Sequence, residues 1–86
     1  MATKRKIKDD VLFRKNKIPA YERSGGMCEL CRCRPAQEVH HIVYRSHLGT
    51  SILSNLACLC LQCHSEAHGV NAKEIRKHLL EVVRVE

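Results

Sequence analysis

Cys28-Glu29-Leu30-Cys31 and Cys60-Leu61-Gln62-Cys63 are two Cys-x2-Cys knuckles with 28 residues between them. Two residues between thiolates let both sulfurs turn onto one tetrahedral ion, so the knuckles supply the four ligands of a closed structural zinc site. Two other chemistries use paired cysteines. A disulfide framework belongs to oxidising compartments, and a thioredoxin-like redox pair needs a single pair in a βαβ pattern. Neither suits this chain, and zinc is the expectation. Cys33 and Cys58 are left over, each two residues from a proposed ligand, and read as small half-buried hydrophobes. The spacing alone leaves open registers in which Cys33 replaces Cys31 or Cys58 replaces Cys60. Binding one zinc by such a set is worth roughly 10 to 16 kcal/mol of apparent free energy, on the scale of a domain's whole net stability. The metal is therefore expected to make the fold.

Four of the six histidines are spaced for a second site. His64 and His68 stand i, i+4, which stacks two imidazoles on one helical face as ligands of one ion. His40 and His41 are adjacent in a β-branched run, so on a strand they point to opposite faces, and one can bind metal while the other does different work. The same spacing allows a rival arrangement, in which one continuous helix presents Cys60, Cys63 and His64 to a single ion. His78 has no partner in its spacing and is assigned nothing.

Cys28-x2-Cys31, then Glu38-Val39-His40-His41-Ile42, then Asn55-Leu56, then Leu59-Cys60-x2-Cys63-His64-x3-His68 together resemble the HNH endonuclease family in its four-cysteine form. The resemblance spans residues 28 to 68 and implies a ββα-metal (HNH, or His-Me finger) fold, in which a hairpin and a helix grip one catalytic ion. Carried over position by position, it implies that His41 is the general base that activates water. It makes His40 and His64 ligands of the catalytic ion and His68 a third. Asn55 matches the middle letter of the family name, and bracing of the loop that carries the base is its expected role. Many members have an acidic residue where this chain has His40. Carboxylates favour Mg²⁺ and imidazoles favour first-row transition ions, so Mn²⁺, Ni²⁺, Co²⁺ or Zn²⁺ is expected ahead of Mg²⁺.

A phosphodiester repels hydroxide, so its hydrolysis needs a cation on the phosphate, a base for the water and stabilisation of the leaving oxygen. The base must be neutral to act. Because Cys63 and His64 are neighbours, the structural ion is expected to pin the helix that carries the second site.

The elements that must position these groups are short. Asp9 to Lys17 reads as a helix presenting Val11, Leu12 and Phe13, with Pro19 interrupting it and Ser24-Gly25-Gly26 ending it. Arg32 to Tyr44 reads as a hairpin around the turn Arg34-Pro35-Ala36-Gln37, with residues 38 to 44 as its second strand. Ser46 to Ser54 reads as a loop. A helix after Leu59 is expected to stop at a left-handed Gly69, and a last helix to open at Asn71 with Glu74 completing a capping box. Ile75, Leu79, Val82 and Val83 form the apolar stripe of that last helix. With the ββα-metal core that the resemblance implies, the expected fold class is a small zinc-stabilised α+β domain with flanking helices. It comprises a basic amino-terminal arm over 1–23, a zinc-knuckle core over 24–70 and a carboxy-terminal helix over 71–86.

Eighty-six residues with no Trp, one Phe and two Tyr leave little for a core, which at this size covers only about 60% of the unfolded surface. The start Met1-Ala2-Thr3-Lys4-Arg5-Lys6 precedes no apolar stretch of a signal peptide, and the longest apolar run, Leu56 to Leu61, is six residues. A cytoplasmic chain with no membrane and no small-molecule partner is expected. The net charge of +6 is concentrated in residues 1 to 23, where eight Lys and Arg face three acids. Four thiolates on one Zn²⁺ contribute −2, which lowers the total to about +4. Lys4, Arg5, Lys6, Lys8, Arg14, Lys15 and Lys17 can neutralise DNA phosphates without reading sequence, or form a solvated, dispensable tail. Arg45 and His47 follow the histidine strand and are better placed for the scissile region. The first expectation is a metal-dependent endonuclease on double-stranded DNA, of phage, restriction or mobile-element type. Its alternatives are a non-catalytic zinc-bound nucleic-acid-binding module and a zinc-stapled protein-interaction domain.

Overall fold

The computed structural model describes residues 4–83, and side chains from Lys8 onward. Helix α1 (Lys4–Ser24) is followed by a turn-rich segment, strand β1 (Glu38–His41), 3-10 turns at Arg45–His47 and Leu53–Asn55, strand β2 (Leu56–Leu59), and helices α2 (Leu61–Ala67) and α3 (Ala72–Val82). It is a small α+β fold of the ββα-metal type.

The expected amino-terminal helix is longer than its pattern and runs through Pro19. An interior proline costs a helix about 3 kcal/mol. Here the turn beyond it is fixed from outside: Ala20 and Ser24 are buried, and Arg23 donates to Glu29 Oε1 at 2.7 Å, Leu53 O at 3.0 Å and Leu56 O at 2.6 Å. The arm is therefore part of the fold and not a dispensable tail, while the side chains of Lys4, Arg5 and Lys6 lie outside the described residues. Val11 faces outward at 51% exposure, contrary to its expected place on the apolar face, because three successive helical residues sweep around the axis. Gly25 and Gly26 end the helix at φ +66° and +78°, the left-handed region that glycine adopts without the Cβ penalty of other residues.

The sheet is antiparallel, β1 with β2, pairing Glu38 with Leu59, Val39 with Cys58, His40 with Ala57 and His41 with Leu56. The hairpin expected within Arg32 to Tyr44 does not form. The first knuckle curls back on itself, with Arg32 N–H on Cys28 O at 3.0 Å and Arg32 at φ +59°, so it cannot extend into a strand. It makes only an isolated bridge between Met27 and Pro35. β1 pairs instead with Leu56–Leu59, buried along its whole length.

Strand alternation divides the core. Ala57 and Leu59 join Ile42, Leu79, Val83 and the buried knuckle cysteines on one side; Leu56 and Cys58 join Ala20, Ala36, Phe13, Val39 and Leu53 on the α1 side. α3 packs by its expected stripe, with Leu79 and Val83 fully buried and Ile75 packed against them. α3 opens at Asn71 as expected, but one end signal fails at each of α3 and α2. Asn71 stands at the amino-terminal cap without a side-chain hydrogen bond, its backbone at φ −98° and ψ 16° and not the extended conformation a capping box requires. Gly69 is not left-handed: among the described glycines only Gly25 and Gly26 have positive φ, and His68 caps α2 through its own N–H. The expected loop is closed at both ends by the 3-10 turns, and a Cβ on Gly49 would stand 1.8 Å from Val43 O. Only glycine permits that approach.

Candidate active site

Cys28, Cys31, Cys60 and Cys63 converge, all four sulfurs within 4.8 Å of one another. Tetrahedral coordination with metal–sulfur bonds of about 2.3 Å spaces sulfurs about 3.8 Å apart; Cys31 and Cys60 Sγ stand 3.9 Å apart. The set can hold a metal ion such as zinc. Cys60 caps α2 by accepting from Cys63 N–H, so the second knuckle is a helix start and its sulfurs face the first. Burial and hydrogen bonding to the other three sulfurs push the Cys63 thiol up to about 12, whereas the Cys33 amide draws Cys31 down to about 6. Crowded thiolates repel one another, and a cation removes the conflict. Cys58 is buried on the α1 side and Cys33 is exposed rather than half-buried; neither belongs to the cluster.

His40, His64 and His68 form a second cluster, one nitrogen from each within 4.8 Å of the others. His64 Nε2 and His68 Nε2 are 3.3 Å apart, against about 3.4 Å for two nitrogens on a tetrahedral ion at 2.1 Å. Three nitrogen ligands leave a fourth position open, the pattern of catalytic rather than structural sites. His64 Nδ1 lies 3.5 Å from Glu38 Oε2, which turns its Nε2 toward the cluster. Burial, then the positive charge of His64, His68 and Arg76, lowers His40 to about 4, so it is neutral and free to ligate. The rival single-ion arrangement of Cys60, Cys63 and His64 is not formed, since His64 faces the imidazoles and both cysteines face the first knuckle.

His41 points to the other face of β1. Its ring packs on Phe13 of α1, centroids 4.7 Å apart, and its Nε2 lies 2.8 Å from Ser51 Oγ. Burial and the Arg45 guanidinium lower its pKa against the opposing pull of Asp9. A neutral ring can accept a proton. The ring lines a cleft of about 600 Å³ together with Phe13, Lys17, Glu38, Val39 and Arg45. Lys17 Nζ sits over Phe13 at 4.5 Å. Arg45 is tied to Asp9 at 3.2 Å and Asp10 at 2.9 Å, so part of its charge is already answered. Arg14 and Lys15 are exposed on α1. His47 stacks on Tyr44, which stacks on His68.

Asn55, 7% exposed, accepts from Val43 N–H at 2.8 Å and donates to Val43 O at 3.1 Å and Thr50 O at 2.7 Å. These bonds tie both ends of the 43–50 loop to the start of β2.

Residues 28–69 match the family model described as HNH endonuclease. This segment, just under half of the chain, is similar to the HNH endonuclease family. The chain is also similar to the type IV methyl-directed restriction enzyme EcoKMcrA of Escherichia coli (strain K12), 36% identical over 64 residues. The alignment covers 63% of this chain and 23% of that enzyme, so the chain spans less than a quarter of its relative.

Around the HNH segment the structure adds residues that spacing did not reveal. Arg34 Nε donates to Cys60 Sγ at 3.4 Å, placing a guanidinium beside the thiolates, whose hydrogen bonds and charge raise its own pKa. Glu29, 2% exposed, accepts from Nε and Nη2 of Arg23 and from the Cys58 amide, fastening α1 to the first knuckle of the HNH segment and to β2. Asp9 accepts from Ser51 N–H and Oγ at 2.7 and 2.9 Å. Burial alone would raise its pKa, but these bonds and Arg45 outweigh it and hold the carboxyl below its ordinary range. Each joins residues remote in sequence, and the only local signal was an acidic residue inside a basic helix.

Proposed function

We propose that the chain is a metal-dependent endonuclease that hydrolyses DNA phosphodiester bonds to 5′-phosphate and 3′-hydroxyl ends. Its general base is His41, and its catalytic divalent cation is held by His40, His64 and His68. A structural Zn²⁺ occupies Cys28, Cys31, Cys60 and Cys63. The observation that carries the reading is the open three-imidazole cluster beside a fourth imidazole on the next strand residue; a module that only binds nucleic acid has no need of them. DNA as the substrate is supported by the relative, a restriction enzyme by its name.

When bound, the cation supplies Lewis-acid polarisation of the phosphate and charge for the leaving oxygen. The chain supplies the rest. His41 takes the proton of the attacking water, a contribution of about 10² to 10⁴-fold for a positioned base. His40, His64 and His68 present imidazole nitrogens, which favour Mn²⁺, Ni²⁺, Co²⁺ or Zn²⁺ over Mg²⁺. Asn55 keeps the loop after the base in register. Lys17 and Arg45, which line the cleft, bind phosphates of a double-stranded substrate.

Plasmid cleavage across a panel of divalent ions tests the reading. Wild type should cleave with first-row transition ions, and His41→Ala should not. Equal cleavage by the two proteins, or none by wild type with every ion, would overturn it.

A further inference from the structure

Asp9 and Ser51 belong to neither cysteine nor histidine cluster, yet they form a continuous hydrogen-bond chain to His41. Ser51 is fully buried. Its Oγ lies 2.8 Å from His41 Nε2 and donates to Asp9 Oδ2 at 2.9 Å. Its backbone N–H donates to Asp9 Oδ1 at 2.7 Å, across 42 residues of sequence. Counting protons sets the direction of this chain. An ionised carboxylate only accepts, and a hydroxyl has one proton to give. The Ser51 proton goes to Asp9, so its Oγ must accept from His41. Arg45 Nη2, 3.5 Å from the same Oγ, is a donor and agrees with this assignment. His41 therefore carries its proton on Nε2 and keeps a lone pair on Nδ1.

We propose that Asp9, acting through the Ser51 hydroxyl, is a positioning residue that fixes His41 as the Nε2–H tautomer and makes Nδ1 the atom that takes the proton from water. The proposal rests on the reading of His41 as the general base. In the step it serves, one water proton moves to Nδ1 as the water oxygen bonds to phosphorus and the bond from phosphorus to the 3′ oxygen breaks. The leaving oxygen is protonated from solvent. The imidazolium that forms keeps its Nε2–H on Ser51, in line with the Asp9 charge. A base held in the wrong tautomer presents a hydrogen where a lone pair is needed.

Asp9→Asn separates this role from packing, because the side chain keeps its shape. Its amide NH₂ must face either the Ser51 backbone N–H, which cannot accept, or the Ser51 hydroxyl, which can. The first leaves two donors facing each other at the buried Ser51 N–H; the second sets the amide against Arg45 Nε, whose half-exposed side chain can turn to Asp10, and it turns the hydroxyl proton toward His41 Nε2. The chain then runs backwards and moves the His41 proton to Nδ1.

The test is nitrogen-15 NMR of the histidine rings in the zinc-loaded full chain, at a pH above the ordinary histidine range. Wild type should show His41 protonated at Nε2, Asp9→Asn should show it at Nδ1, and Ser51→Ala a mixture of both. A wild-type proton on Nδ1, or the same tautomer in wild type and Asp9→Asn, would overturn the proposal. In plasmid cleavage Asp9→Asn should lower kcat by roughly 10² to 10⁴-fold, the range a positioned base contributes, with KM unchanged. It should cost nothing further in a His41→Ala background; an equal loss there would mark Asp9 as merely structural and sink the idea. A wild type inactive with every ion would fail the nuclease reading, while the ring spectra would still decide the tautomer.

Discussion

The four-sulfur and three-imidazole clusters flank the same short helix and are built in opposite ways. The first is closed: three of its cysteines are buried, and both knuckles belong to the hydrophobic core. The second is open, with His40 buried but His68 exposed at the end of α2. A closed tetrahedral set has no position for a substrate, whereas three nitrogens on one side of an ion leave one free. The closed and open sets are thus adjacent in sequence at Cys63 and His64, and on the proposed reading they have different tasks. Removal of metal from each cluster should give different outcomes. A strong chelator in excess should abolish the far-ultraviolet circular dichroism of the chain, since a four-thiolate zinc site supplies roughly 10 to 16 kcal/mol. His64→Ala should keep that spectrum and its one tight zinc while losing the weaker divalent ion in metal analysis. A spectrum unchanged after verified zinc removal would erase the contrast.

A second contrast lies across β1, where His40 faces the metal cluster and His41 faces α1. His41→Ala should lower kcat by about 10² to 10⁴-fold and leave bound metal unchanged, whereas His40→Ala should lower both activity and metal content. Identical metal loss in the two variants would place both rings on one site.

Much of this was legible in the sequence because it depends on short spacings. Cys-x2-Cys and His-x3-His describe one turn of chain each, and adjacent residues on any strand face apart. The partner of β1 was not legible, since Leu56–Leu59 lies beyond the nearest turn and the local alternative was ruled out only by the left-handed Arg32. Nor was the continuation of α1 past Pro19, which depends on contacts from Arg23 to residues 30 and 33 positions away. Local rules put the start of α3 at Asn71, where it stands, but not its backbone geometry, and they misplaced the end of α2 at Gly69, which has ordinary backbone.

Two glutamates extend the contrast between the clusters to stability. Glu29 is buried and paired with Arg23 at 2.7 Å, while Glu38 is 46% exposed beside His64. Arg23→Ala would strand the Glu29 carboxylate and should cost about 3 to 5 kcal/mol in denaturant unfolding, as broken buried pairs do. Glu38→Ala should cost less than about 1 kcal/mol but weaken the divalent ion at the imidazoles by about 10 to 100-fold, the usual effect of losing an outer partner of a ligand. Titration calorimetry with Mn²⁺ measures the second effect, and a metal affinity unchanged in Glu38→Ala would show that His64 needs no such partner.

The smallest expected effect separates the two kinds of basic residue on α1. Lys17 lines the His41 cleft above Phe13, whereas Lys15 is exposed on the helix. Each lysine that neutralises a phosphate releases a counterion, so its loss lowers the slope of log affinity against log salt by about 0.9 on duplex DNA. If the cleft seats the scissile strand, Lys17→Ala should reduce that slope by about 1 and also raise KM for plasmid cleavage. Lys15→Ala should change neither by a measurable amount. Equal slopes for all three proteins would mean that α1 serves the fold alone and that the substrate is held from the face of β1 on which His40 lies.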